Sequence, residues 1–84
     1  MIINLSVGSS IFSKRYLRNA QVRNWKFKDG FSGFYNDIMP GVAFKITELN
    51  KVPGNMWVKV EIPGSNPQQY LKITGDEFAN NFRI

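Results

Sequence analysis

Met56-Trp57-Val58-Lys59-Val60-Glu61-Ile62 alternates without a break between apolar side chains and larger or charged ones. At a period of two, Met56, Val58, Val60 and Ile62 share one face of an extended chain, and Trp57, Lys59 and Glu61 the other. The segment reads as a strand with one buried side. Upstream, Phe44 and Ile46 alternate with Lys45 and Thr47, and the link Lys51-Val52-Pro53-Gly54-Asn55 suits a hairpin loop. Downstream, Gln69 to Ile73 gives a further strand with Leu71 and Ile73 inward. Gln21 to Lys28 gives another, with Arg23, Trp25 and Phe27 on one side and Val22, Asn24, Lys26 and Lys28 on the other. Ile2 to Val7 completes the set as a first strand.

Glycine and proline punctuate these strands. Asp29-Gly30, Pro40-Gly41, Pro53-Gly54 and Pro63-Gly64 each mark a turn. Proline presets φ, and glycine accepts the positive φ of a type II turn.

Two segments read as helical. Thr74-Gly75-Asp76-Glu77 has the spacing of a capping box, in which Thr74 accepts from the Glu77 amide and the Glu77 carboxylate reaches back to the Thr74 amide. Ile73 and Phe78 stand where a hydrophobic staple closes the entry, and Phe78 and Phe82, four apart, share a buried stripe. Asp76 and Glu77 thereby acquire a structural role at a helix N-terminus. From Ser10 to Ala20, a helical period gathers Phe12, Tyr16, Leu17 and Ala20 on one arc and Lys14, Arg15 and Arg18 on the opposite one. Ile11 falls on the basic side of that wheel.

The expected architecture is mostly β: one small domain over residues 1–84, with about five short strands in a curled antiparallel sheet. A short N-terminal helix or helical turn and a capped C-terminal turn accompany it. An SH3-like barrel fits this inventory first. An OB-like barrel and a helix-on-sheet α+β domain are the alternatives.

Charge is distributed unevenly. Lys14 to Lys28 reads KRYLRNAQVRNWKFK and carries six of the eleven basic residues with no acidic one. The whole net charge of +5 is local to it, since residues 29–84 hold five basic and six acidic side chains and sum to −1. Clustered cations neutralise phosphates and release counterions, and aromatic faces stack on bases. This pattern points to RNA or single-stranded DNA. Lys14, Arg15, Arg18, Arg23, Lys26 and Lys28 would track phosphates. Tyr16 or Trp25 would stack on a base, but an aromatic on an inward strand face such as Trp25 is more often core than platform, and Trp57 is the better exposed candidate. No recognition helix in groove register favours duplex DNA.

Enzymatic chemistry has little to draw on. The chain has neither histidine nor cysteine, so there is no Ser-His or Cys-His pair, no disulfide and no ordinary zinc site. Gly30-Phe31-Ser32-Gly33 lacks the Lys-Ser/Thr of a phosphate loop. No catalytic residue, metal or cofactor is expected. The apolar run Met1 to Leu5 is too short for a signal or a span, so a soluble cytoplasmic protein with no membrane partner is expected.

The closing phrase Tyr70-Leu71-Lys72-Ile73-Thr74-Gly75-Asp76-Glu77-Phe78 resembles the strand-then-capped-turn ending of small, basic SH3-like early and accessory proteins of tailed bacteriophages. The resemblance covers the last half of the chain. It implies an accessory factor in the host cytoplasm that acts on host nucleic-acid metabolism or defence, and it carries no functional residue with it. The alternative function is a protein-binding inhibitor of a host nuclease, toxin, or other defence or transcription factor. Phe31, Phe34 and Tyr35 would be its anchors, and it could act through a ribonucleoprotein. A monomer or small homo-oligomer suits either reading.

Overall fold

The computed structural model describes residues 4–18, 28–29, 37–64 and 68–84. Six strands and one helix follow in chain order: β1 (Ser10–Ser13), β2 (Lys28–Asp29), β3 (Ala43–Asn50), β4 (Trp57–Glu61), β5 (Tyr70–Thr74), α1 (Gly75–Asn81) and β6 (Phe82–Arg83). The strands form one sheet in the order β2-β5-β4-β3-β1-β6, with every pairing antiparallel.

β3 belongs to two ladders, and this curls the sheet. Its first half pairs with β1, placing Phe44 opposite Ile11, and its second half pairs with β4, placing Asn50 opposite Trp57. Between the halves the register shifts at Ile46/Glu48, so Thr47 is an extra residue. Such a bulge bends a strand and raises its twist. Thr47 Oγ1 donates to the Lys59 carbonyl at 3.2 Å across the irregularity. The strand order, with a helical turn delivering the last strand to the first, is compatible with an SH3-like barrel.

The alternation in β4 and β5 sorts as expected. Val58, Val60, Leu71 and Ile73 are buried, while Trp57, Lys59, Glu61, Tyr70 and Lys72 are half-buried on the opposite face. Ile62 is also buried, beyond the end of β4. Phe44, Ile46, Phe78 and Phe82 close the core, and the Phe82 ring meets Phe44 edge-on at 5.2 Å. Gly41, Gly54 and Gly64 adopt positive φ of 83°, 84° and 78°, each in a Pro-Gly turn.

The capping box forms. Thr74 Oγ1 accepts from the Glu77 amide, and Glu77 Oε1 accepts from the Thr74 amide at 3.1 Å. Phe82, however, does not continue the helical stripe. It is the C-cap, in extended conformation with φ −133°, and it leads into β6, which pairs with β1. Its amide still donates to the Phe78 carbonyl.

The N-terminal segment departs from the sequence reading in two places. Ser10–Ser13 is a strand, not the start of a helix, and Leu17 pairs with Ile38 through two 2.8 Å backbone hydrogen bonds. Ile11, which the helical wheel put on the basic side, is fully buried. Its inward neighbour on the strand is Ser13, also fully buried, whose Oγ donates to the Met39 carbonyl at 2.7 Å and accepts from the Val42 amide at 3.0 Å. A polar residue at an inward position disguises the period of two. The first strand expected over Ile2 to Val7 is likewise absent from its described part: Leu5 is buried, but Val7 and Gly8 form a turn with Gly8 at φ 93°. No helix among the described residues is long and apolar enough to cross a membrane.

Candidate nucleic-acid interface

β1 ends at Ser13, and the chain then runs irregularly through Lys14, Arg15, Tyr16, Leu17 and Arg18. Leu17 is buried, and its bridge to Ile38 fixes the segment to the body. Lys14, Arg15, Tyr16 and Arg18 are exposed around that anchor. The exposed cations are therefore held by one inward leucine and one bridge, and not by the polar arc of a helix.

The four side chains are not equivalent. Lys14 Nζ donates to the Ala79 carbonyl near the end of α1, and the Lys14 amide donates to the Asn81 carbonyl at 3.0 Å. The last turn of α1 contains no basic residue of its own, so Lys14 supplies the positive charge favoured at a helix C-terminus. The Tyr16 hydroxyl donates to Asp37 Oδ2. That hydrogen bond raises the Tyr16 pKa above its ordinary value, with desolvation and the Asp37 charge acting in the same sense and Arg18 opposing. Arg15 and Arg18 have no hydrogen bond or ion pair among the described residues.

The other end of the acid-free stretch is also located. β2 pairs with β5, with Lys28 opposite Leu71 and Asp29 opposite Tyr70. The stretch thus leaves the β1 side of the sheet and returns at the β5 edge. Arg23, Trp25 and Lys26 lie outside the described residues, as do Phe31, Phe34 and Tyr35 and most of the strand expected over Gln21 to Lys28.

Trp57 is half-buried, and its ring is already engaged. The Lys72 ammonium lies over it, 4.7 Å from the centroid. On the same face Lys59 Nζ lies 5.1 Å from the Tyr70 ring centroid and 3.2 Å from Glu48 Oε2. Sequence reasoning found Trp57 alone. The signal for its partners was the matching alternation in Tyr70-Leu71-Lys72-Ile73, which places Tyr70 and Lys72 outward. A third cation–ring contact, Arg83 over Phe12 at 5.0 Å, ties β6 to β1 elsewhere on the sheet.

Glu77 is held in the cap of α1. No cluster of three acidic side chains suited to a metal ion occurs among the described residues. Neither a protein-family model, nor a curated protein, nor a solved structure matches the chain.

Proposed function

We propose that this protein is a non-enzymatic binding module for single-stranded nucleic acid, RNA in the first place. The observation that carries the reading is the state of Arg15 and Arg18: both are exposed and neither makes a hydrogen bond or ion pair with another described residue. A guanidinium without a carboxylate partner offers its planar fork to phosphate oxygens. Tyr16 stands between the two arginines with 44% of its surface exposed, enough to present a ring to a base. The concentration of net charge in residues 14–28 supports the same reading, because a polyanion responds to local charge density.

The test is a titration of labelled single-stranded RNA into the protein at about 50 mM salt, repeated with chelator and at rising ionic strength. Binding in the micromolar range or tighter is expected, indifferent to chelator and falling steeply with salt. The absence of binding at low salt would remove the reading.

A further inference from the structure

We propose that the outer face of β4 and β5 is a second contact site for the same single strand. In it, one phosphate sits between Lys59 and Lys72, with a base on Trp57 to one side and a base on Tyr70 to the other. This rests on the nucleic-acid reading above and adds a site remote in sequence from residues 14–28.

Register defines the site. Lys59 lies directly opposite Lys72, Trp57 opposite Thr74, and Glu61 opposite Tyr70. Trp57 and Tyr70 are therefore separated by four residues of strand, about 13 Å, with the lysine pair midway. Like charges directly opposite each other destabilise a sheet. Only one member of this pair has a carboxylate: Lys59 contacts Glu48, with the Lys59 side chain 17% exposed and that of Glu48 57% exposed. Lys72 has none within ion-pair distance among the described residues and rests instead on the Trp57 ring. Glu61, opposite Tyr70, shares this face, so Lys59 and Lys72 are matched in number by Glu48 and Glu61. Lys72 nevertheless stands between the two rings with no carboxylate within ion-pair distance among the described residues, and can take a phosphate flanked by bases. An arriving phosphate would draw Lys72 off Trp57 and uncover the ring for stacking.

The experiment measures binding of a short labelled single-stranded RNA to the parent protein and to Trp57→Leu, Trp57→Phe, Tyr70→Leu, Lys72→Gln and the Arg15→Glu/Arg18→Glu double variant. Melting curves first establish that each is folded. Trp57→Leu and Tyr70→Leu should each weaken binding roughly five- to tenfold, and Trp57→Phe, which keeps a ring, by no more than about twofold. Lys72→Gln, which leaves the buried side of β5 untouched, should weaken binding and lessen its salt dependence. In a Trp25→Phe background, RNA should change Trp57 fluorescence through base stacking well beyond any change that inorganic polyphosphate causes by drawing Lys72 off the ring. Parent-level binding by Trp57→Leu and Lys72→Gln would overturn this site while leaving the function standing. Equal responses to RNA and polyphosphate would reduce it to anion attraction and also overturn it. Loss in Trp57→Leu with none in the arginine variant would support this site and refute the role given to Arg15 and Arg18. A parent protein that binds no RNA would overturn both.

Discussion

The Lys14 ammonium donates to the carbonyl of Ala79, joining the end of β1 to the last turn of α1 across 65 positions of chain. α1 is seven residues long, too short to persist without support at both ends. Thr74 and Glu77 close its N-terminus. At the other end the Phe82 amide, the Asn81 side chain and both nitrogens of Lys14 take up the carbonyls of Phe78, Glu77, Ala79 and Asn81. The most N-terminal cation of the basic stretch thus also has a structural task.

Replacing Lys14 with Met should lower stability by about 0.5 kcal/mol through loss of this C-terminal charge. That is a fall of roughly 2–4 °C in Tm for a domain of this size. RNA affinity should fall less than on loss of Arg15 or Arg18, because the Lys14 ammonium already has a partner. Paired melts and titrations check both parts.

Thr74→Ala should cost about 1 kcal/mol by removing the N-cap acceptor, with RNA binding unchanged. Both predictions concern the same helix, so the double variant should show coupling between the two ends. A Thr74→Ala melt identical to that of the parent would mean that the cap contributes nothing.

Tyr16 supplies a pH dependence whose sign is fixed. Its pKa is raised, first by the hydrogen bond to Asp37 and then by desolvation and the Asp37 charge, so the folded state holds the phenolic proton more tightly than the unfolded state. The stabilisation is complete below the ordinary tyrosine value of 10.0 and is lost as pH rises through the higher folded value. Tyr16→Phe should therefore be less stable than the parent at neutral pH, and the gap should narrow in alkali. Denaturant melts from neutrality to about pH 11 check this, and parallel curves throughout would contradict it.

Much of the fold was legible where one physical signal acted alone. β4 and β5 show a clean period of two because every inward position is apolar. The Pro-Gly turns could be read because a positive φ restricts the choice of residue. The capping box could be read because its two hydrogen bonds are local. β1 was illegible because its inward pair is Ile11 and Ser13, and the hydroxyl of Ser13 is satisfied only by Met39 and Val42, far along the chain. Phe82 was misplaced on the helix because its spacing from Phe78 suits a helical stripe as well as a cap that turns inward. The misfit of Ile11 on the helical wheel was the one warning. In the candidate site, the exposure of Arg15 and Arg18 was expected, though for a helical reason, where the structure gives the buried Leu17 and its bridge to Ile38. The engagement of Lys14 by α1 and of Trp57 by Lys72 depends on partners distant in sequence, and no local pattern announces it.

The measurement that bears most directly on the proposed function compares two double charge reversals of equal size. Arg15→Glu/Arg18→Glu alters the unengaged pair beside Tyr16. Lys45→Glu/Lys51→Glu alters two exposed lysines, one on β3 and one just beyond it. All four positions are exposed, so both variants should fold, and the net charge of the protein changes identically. Single-stranded RNA affinity at low salt should collapse in the arginine variant and fall only modestly in the lysine variant. Equal losses would show that bulk charge alone attracts the polymer and would contradict a site at Arg15 and Arg18.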